Sequence, residues 1–266
     1  MTGQRKEAAR NPAPTGGSAA AKPQAWGDHA SGAGIAMSEE RAAIARRAPV
    51  LAIVGGTGAL GTGLAARWAA AGYPVVLGSR SSDKAKAAAR EIEPRNGAPP
   101  VRGDDNVAAA RAGDVVVIAV PFSSHDAILD EIGEVVAGKI VVDAVVPLLP
   151  PKVSLVQLPV QGSAAQIAHE RIGDRALVVS AFHNVSAAKL RATGPVDCDV
   201  LVFGNDRAAR DRVIALADAI GARGIDGGPI ANSVAAEALT SVLIGINRRY
   251  KVDGGAGLRI TGDFST

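Results

Sequence analysis

The sequence predicts an α/β fold in which a parallel sheet is covered by helices on both faces. Apolar residues make up 47% of the 266-residue chain but aromatic residues only 3%, which favours a core of small aliphatic side chains. From Val50 onwards, short β-branched runs alternate with longer Ala-rich segments. The runs are apolar almost without interruption, as strands buried on both faces should be. This alternation predicts βαβ units and a doubly wound parallel sheet.

The first part of this pattern contains four strands and four helices. Strands are predicted at residues 50–54, 74–78, 114–120 and 139–142, and helices at 58–71, 82–93, 104–111 and 123–136. Residues 147–159 hold four prolines and are predicted to form a connecting loop, because proline interrupts regular helix. Beyond the loop we expect helices at 165–172, 207–219 and 231–250, and strands at 176–181, 199–204 and 222–226.

Charge and composition narrow the classes of partner. Seven Lys/Arg and four acids lie in residues 1–47, while the remainder carries 22 of each and is neutral. The body therefore offers no basic stripe for a nucleic acid. No apolar run reaches the roughly 18–20 residues that span a bilayer, and the N-terminus lacks a secretory signal. We expect a cytoplasmic protein without nucleic-acid or membrane partners, preceded by a disordered extension at residues 1–47.

A glycine-rich loop follows the first strand and opens the first helix. Residues 51–61 place three glycines in the G-x-G-x-x-G spacing of a Rossmann dinucleotide-binding site, namely Gly56, Gly58 and Gly61. The first glycine allows a tight turn, the second lets the main chain approach a pyrophosphate, and the third allows close helix–strand contact. Thr57, Ala59 and Leu60 complete the predicted site, and the helix N-terminus offers free N–H groups to the anion.

The end of the second strand indicates which dinucleotide binds. NAD sites usually carry an acid here that holds the ribose 2′-hydroxyl, whereas this strand ends in Ser79 and Arg80. An arginine offers a 2′-phosphate a planar fork of donors, and Lys84 follows one turn later. The sequence therefore predicts NADP(H) rather than NAD(H).

The remaining residues exclude several chemistries. Neither Tyr73 nor Tyr250 has a lysine four residues on, which excludes a short-chain dehydrogenase. A single cysteine, Cys198, excludes a disulfide framework and a Cys-rich metal site, and we predict no metal. His183 follows a predicted buried strand, where ligands of open parallel sheets bind, although it could also merely cap that strand. His125 could merely begin a helix, and a surface role is predicted for His169.

Several blocks together resemble the NADPH-dependent reductases of coenzyme F420. They are GGTGALG at 55–61, LGSR at 77–80, VVSAFHNVSAAKL at 178–190 and GGPIANSVAAEALTSVLIGIN at 227–247. The resemblance extends over about residues 50–262. It implies a Rossmann-type doubly wound parallel sheet, with an NADP-binding domain at 48–181 and a smaller C-terminal α/β substrate domain for the deazaflavin at 182–266. It also implies hydride transfer between nicotinamide C4 and deazaflavin C5.

The resemblance also assigns residues. NADP would be bound by Thr57, Ser79, Arg80 and Lys84, with the nicotinamide bordered by Pro121 and Phe122. His183 would be the histidine of the deazaflavin site. Further contacts with the deazaflavin are expected from the last helix, at Asn232, Ser233 and Thr240. The dimeric habit of the family leads us to expect a homodimer.

Three alternatives remain open. Val234, Ala238 and the Asn-Val-Ser block after His183 depart from the family pattern on the deazaflavin side, so a reductase of ordinary flavins (FMN or FAD) is the first alternative. A β-hydroxyacid dehydrogenase using Lys189 as acid would have an all-helical C-terminal domain. A non-catalytic NADP sensor would bind NADP without turnover.

Overall fold

The computed structural model describes residues 48–92 and 99–264, so the predicted extension at residues 1–47 lies outside the described residues. The described chain contains eight strands: β1 Leu51–Val54, β2 Val75–Ser79, β3 Arg102–Asp105, β4 Val115–Ile118, β5 Ile140–Asp143, β6 Leu177–Ser180, β7 Asp199–Gly204 and β8 Arg223–Gly228. Its helices are α1 Ala59–Ala70, α2 Ser82–Arg90, α3 Asn106–Ala112, α4 His125–Ile132, α5 Ala164–Ile172, α6 Ala187–Arg191, α7 Arg207–Ala219 and α8 Ser233–Tyr250.

All the described strands form one sheet in the order β3-β2-β1-β4-β5-β6-β7-β8. Strands β1 to β6 are parallel, β7 runs antiparallel to β6, and β8 is parallel to β7. The α/β doubly wound prediction is confirmed. Because β7 pairs directly with β6, the sheet continues past the predicted boundary at residues 181–182, and the division into two domains stays a prediction.

Helices cover both faces of the sheet. One face packs against α1, α2, α6 and α7, with Trp68 fully buried at its centre. The Trp68 indole N–H donates to the Leu216 carbonyl at 2.9 Å and its ring meets Phe182 edge to face at 5.5 Å. The other face packs against α3, α4 and α5 through aliphatic side chains such as Ile132 and Ile172. Both layers hold rigid the strand ends from which the loops emerge.

Three short elements differ from the prediction. Strand β3 was not predicted, because its sequence Arg-Gly-Asp-Asp has no apolar run; it pairs along the sheet edge, where polar side chains reach solvent. The helix predicted at 104–111 begins instead at Asn106, because Asp105 caps it by accepting from the Ala108 N–H. The five-residue α6 also escaped prediction.

Candidate active site

A cleft of about 570 Å³ opens at the carboxyl ends of β1, β2 and β4. Its lining includes Gly55, Thr57, Gly58, Ser79, Arg80, Ser81, Lys84, Asn106, Val120, Pro121 and Ser124. Helix α1 starts beside this cleft, with no acidic residue in its first turn and no side chain capping its N-terminus. Its first N–H groups and its positive dipole end are therefore available to an anionic ligand.

The glycine loop is packed tightly on one side and open on the other. A Cβ on Gly61 would lie 2.6 Å from the main chain of Gly56, and one on Gly56 would lie 2.6 Å from the Ile53 carbonyl. A Cβ on Gly58 would meet nothing closer than 3.9 Å. The first and third glycines thus allow the turn and the helix contact, while the second leaves room for a ligand phosphate. The loop fits a dinucleotide pyrophosphate.

Asn106 holds this loop from the neighbouring helix. Its side chain is buried and its Oδ1 accepts from the Gly55 N–H at 3.2 Å. Sequence reasoning did not select Asn106, because it lies 51 residues from Gly55 and follows an unpredicted strand. The only available signal was its place near the start of the helix predicted at 104–111.

The predicted 2′-phosphate contacts gather at the end of β2. Arg80 and Lys84 are exposed, and none of the ion pairs formed within residues 48–92 and 99–264 involves either of them. Ser79 is largely buried and its Oγ accepts from the Ser81 N–H at 3.3 Å. Two cations that have no acidic partner among the described residues therefore lie beside the cleft that fits the dinucleotide.

A second, smaller cleft of about 170 Å³ lies beyond β6. It is lined by His183, Asn184, Val185, Ser186, Thr240, Leu243, Ile244, Asn247, Gly255 and Ala256. The structure thus places His183 and Thr240 in one cleft, although 57 residues separate them. Thr240 donates to the His183 carbonyl at 3.1 Å and accepts from the Asn184 amide at 3.1 Å. Helix α8 is fixed to the loop after β6 through these bonds.

His183 is held in one orientation and is neutral at physiological pH. Its side chain is 7% exposed and its Nε2 lies 3.2 Å from the Ser180 Oγ. Burial lowers the pKa of His183 to about 4, although the Asp143 charge and a hydrogen bond to the Asp143 main chain raise it. Phe182, directly before it, has a φ of 68°, a strained conformation that bulky residues rarely adopt outside functional sites.

The C-terminal segment forms one wall of this second cleft. Gly255 and Ala256 line it, and the segment is held at the sheet by the Leu258 carbonyl, which accepts from the Asp199 N–H at 2.7 Å. The buried Asp199 carboxylate binds Arg223 at 2.6 Å and the Ile260 N–H at 2.5 Å. This wall was not predicted, because nothing in a Gly-rich terminus indicates where it packs.

Other predicted residues are not among those that line the two clefts. Ser233 is fully buried and its hydroxyl donates to the Ser163 Oγ at 2.8 Å, and Asn232 is exposed and donates to the Gly227 carbonyl. Phe122 is half-buried behind Pro121, stacked on the ring of His125. Ala59 is exposed and Leu60 packs on the core beside the glycine loop. Their contacts with ligands stay predictions.

The dehydrogenase alternative finds little support. Lys189 donates to the Asp197 carbonyl at 2.9 Å and lines neither of the two clefts. Strands β7 and β8 give the C-terminal part a β-sheet edge, whereas that alternative requires helices alone. Within the described residues there is also no group of three or more His, Cys, Asp or Glu side chains that could hold a metal.

The two clefts lie on either side of a single strand end. Pro121 follows β4 and His183 follows β6, and β5 lies between these strands. Parallel strands are about 4.8 Å apart, so the two strand ends are separated by roughly 10 Å. Ligands bound in both clefts can therefore meet above the end of β5, outside the carboxyl ends of the strands, where open α/β sheets bind ligands.

Comparison with known proteins agrees with this architecture. A family described as NADP oxidoreductase coenzyme F420-dependent matches residues 50–147. The F420-dependent NADP reductase of Methanocaldococcus jannaschii is 40% identical over 220 residues, covering 79% of this chain and 97% of that protein. Its namesake from Methanothermobacter marburgensis is 40% identical over 221 residues, with the same coverage.

A solved structure gives the same picture. It is the crystal structure of a proposed F420-dependent NADP reductase from Arthrobacter sp. FB24. The two chains share 29% sequence identity and superpose with a TM-score of 0.66, covering 80% of this chain and all of the other.

Proposed function

Because this chain belongs to the family of F420-dependent NADP reductases, we propose that it transfers a hydride between NADP(H) and coenzyme F420. The observation that supports this most is the pair of clefts that flank the end of β5, one fitted to a dinucleotide and the other lined by His183 and Thr240. The nicotinamide and the deazaflavin supply the reactive carbons, C4 and C5. The protein aligns them and excludes water.

The residues of the chain divide this work. Gly58 and the start of α1 bind the pyrophosphate, and Arg80 and Lys84 bind the 2′-phosphate. Pro121 borders the nicotinamide. With a pKa of about 4, His183 is neutral at neutral pH and does not act as a general acid. It orients the deazaflavin ring by hydrogen bonding. The one proton that accompanies hydride transfer to the deazaflavin comes from solvent.

Parallel assays with different acceptors test this function. NADPH oxidation by the purified chain is followed with F420, FMN or FAD as acceptor, and NADH replaces NADPH as control. We expect rapid turnover with NADPH and F420 only. Turnover with ordinary flavins alone would reassign the acceptor, and NADPH binding without any turnover would favour a sensor.

The chain is also proposed to act as a homodimer in the cytoplasm. Helix α8 exposes Val242, Ile246 and Tyr250, and the loop after β5 exposes Leu149, Leu155, Val156, Leu158 and Val160. Helix α8 and this loop are in contact, since an Arg248 guanidinium N–H donates to the Ser154 Oγ at 3.5 Å. So large an exposed apolar surface is typical of an interface between subunits.

By length and composition alone, Ile230–Tyr250 could also cross a membrane, but Ser233, Glu237 and Ser241 bury one face of it against the fold. The molar mass of the Ile246→Glu variant, measured by light scattering, tests whether α8 lies in a subunit interface. Leu177→Glu, at a similarly exposed apolar position elsewhere, is the matched control. We expect only the first substitution to give a monomer. A monomeric unaltered protein would contradict the homodimer.

A further inference from the structure

The end of β5, between the two clefts, carries a buried histidine–aspartate hydrogen bond that the proposed function leaves unexplained. Asp143 is the last residue of β5, and in the sheet it is in register with Ile118 of β4 and Ser180 of β6. Its Oδ2 lies 2.6 Å from the Nε2 of His125, and both side chains are fully buried. The Asp143 carboxylate is therefore midway between the segment that follows β4 and the segment that follows β6.

This pair is costly to bury and is only partly satisfied. The second carboxylate oxygen, Oδ1, accepts from the Val145 N–H at 2.9 Å. The His125 Nδ1 is the only buried side-chain N or O atom of the described residues without a hydrogen-bond partner. A buried carboxylate with its hydrogen-bond partner is weak evidence for stability, since apolar residues of similar volume often stabilise a fold as well. An explanation beyond stability is therefore warranted.

Each member of the pair is connected to one of the clefts. The His125 ring stacks on Phe122 with ring centroids 6.2 Å apart, and Phe122 belongs to the 3₁₀ turn Phe122–Ser124 that directly follows the cleft residue Pro121. The main-chain carbonyl of Asp143 accepts from the Ala181 N–H at 3.1 Å, and the Asp143 charge raises the pKa of His183, two residues beyond Ala181. Neither His125 nor Asp143 lines a cleft itself.

We propose that His125 and Asp143 are positioning residues for hydride transfer, which fix the turn at Pro121–Phe122 relative to the ring of His183. This proposal rests on the proposed function. The pair joins the turn beside the nicotinamide to the end of β5, whose last carbonyl accepts from Ala181, two residues before His183. Without it, the two segments would keep their folds but lose their fixed separation, and displacements of about 1 Å can slow a transfer reaction a hundredfold.

Three variants separate positioning from stability. Asp143→Asn removes the charge and His125→Leu removes the donor, whereas His125→Gln keeps an amide N–H near the Nε2 position. The rate constant of hydride transfer is measured in single turnovers with protein saturated by NADPH, and the Kd of NADPH is measured separately. We expect Asp143→Asn and His125→Leu to lower the rate constant roughly tenfold to hundredfold, with the Kd of NADPH within about threefold. His125→Gln should restore most of the rate.

A second readout uses the protein without ligands. Nitrogen-15 NMR of the histidine rings should show a shifted His183 resonance in His125→Leu and in Asp143→Asn, and an unshifted one in His125→Gln. If His125→Leu does not fold, His125→Asn replaces it, because asparagine is too short to carry a donor to the Nε2 position.

The outcomes are distinguishable. Variants that melt at lower temperature, but transfer hydride within about threefold of the unaltered rate and leave the His183 resonance in place, would overturn the proposal in favour of a purely stabilising pair. If the unaltered protein transferred no hydride to F420, the proposed function itself would fail, and the positioning role with it.

Discussion

The two clefts are built in different ways. The cleft at β1, β2 and β4 is made largely of main chain, from a glycine loop and a helix N-terminus that follow each other along the chain. The cleft beyond β6 is made by three segments that are distant along the chain, around His183, Thr240 and Gly255. The first cleft can be recognised from the spacing of its glycines in the sequence, because that spacing is what allows the tight turn and the close helix contact. The second exists only once the sheet has brought its segments together.

The comparison extends to electrostatics. The first cleft presents an open helix terminus and two exposed cations, Arg80 and Lys84, as an anionic ligand requires. The second presents a neutral, buried His183 and hydrogen-bonding groups of Asn184 and Thr240. We therefore expect the first cleft to select its ligand by charge and the second to select by shape and hydrogen bonds.

The largest effect should come from the glycine loop. Gly61→Ala would place a methyl group 2.6 Å from the main chain of Gly56, and we expect a loss of about 1–3 kcal/mol of unfolding free energy together with NADPH binding. Gly58→Ala has space and an ordinary φ of −76°, so it should fold normally yet weaken NADPH roughly tenfold or more.

Calorimetric titration with NADPH and thermal unfolding measure both effects. Gly245→Ala is the control, because its methyl group meets nothing closer than 3.8 Å and Ala is favoured in a helix. Tight NADPH binding by Gly58→Ala would contradict the assignment of the pyrophosphate to this loop.

Arg80→Ala should lower kcat/KM for NADPH but not for NADH. The guanidinium is expected to bind the 2′-phosphate through charge-assisted hydrogen bonds worth about 1.5–3 kcal/mol, so kcat/KM for NADPH should fall roughly tenfold to hundredfold. The value for NADH should hardly change. Arg90→Ala, at the other end of α2, is the matched control. An equal fall for both cofactors would place the 2′-phosphate elsewhere.

Thr240→Val should act on the second cleft alone. It removes the hydrogen bonds of the Thr240 hydroxyl to the His183 carbonyl and from the Asn184 amide, each worth about 1 kcal/mol. We expect KM for F420 to rise roughly fivefold to thirtyfold while the Kd of NADPH stays constant. Thr240→Ser keeps the hydroxyl and should behave as the unaltered protein. A weakened NADPH complex would mean that the clefts are not separate.

The smallest effect concerns pH. Glu237 is a buried residue of α8, and its carboxylate lies at the start of α5, where it accepts from the Ala164 N–H at 2.6 Å and the Ala165 N–H at 3.1 Å. Burial and the Asp143 charge raise the pKa of Glu237 from 4.5 to about 8, although the two hydrogen bonds lower it. The folded protein therefore holds a proton that the unfolded chain has lost, and stability falls as pH rises from 4.5 to 8. His183 acts oppositely between pH 6.5 and 4, because its pKa is lowered.

The two contributions oppose each other between pH 4.5 and 6.5, so we expect a plateau there and a decline from pH 6.5 to 8. The slope of that decline is limited to about 1.4 kcal/mol per pH unit for one group. Urea unfolding at several pH values measures it. Glu237→Gln should lack the decline above pH 6.5, and an identical decline in this variant would assign it to another group.

The sequence predicts the locally encoded parts of the structure and misses the parts that depend on contacts between distant segments. Residues 199–204 and 207–219 form the predicted strand and helix with the same bounds, because buried runs and helical periodicity are local signals. Strand β3 was missed because an exposed edge strand needs no apolar residues. The sequence identified His183 by its position after a strand, but the His125–Asp143 pair joins the ends of two strand–loop segments and leaves no local pattern.

Direct transfer of deuterium tests the central claim. NADPH carrying deuterium on the transferred position of C4 is mixed with F420 and the protein in ordinary water, and the reduced deazaflavin is analysed by mass spectrometry and NMR. The account predicts one deuterium at C5 and none lost to solvent, because the two rings meet above the end of β5. Reduced deazaflavin without deuterium, or no reduction while NADPH stays bound, would contradict hydride transfer between the two clefts.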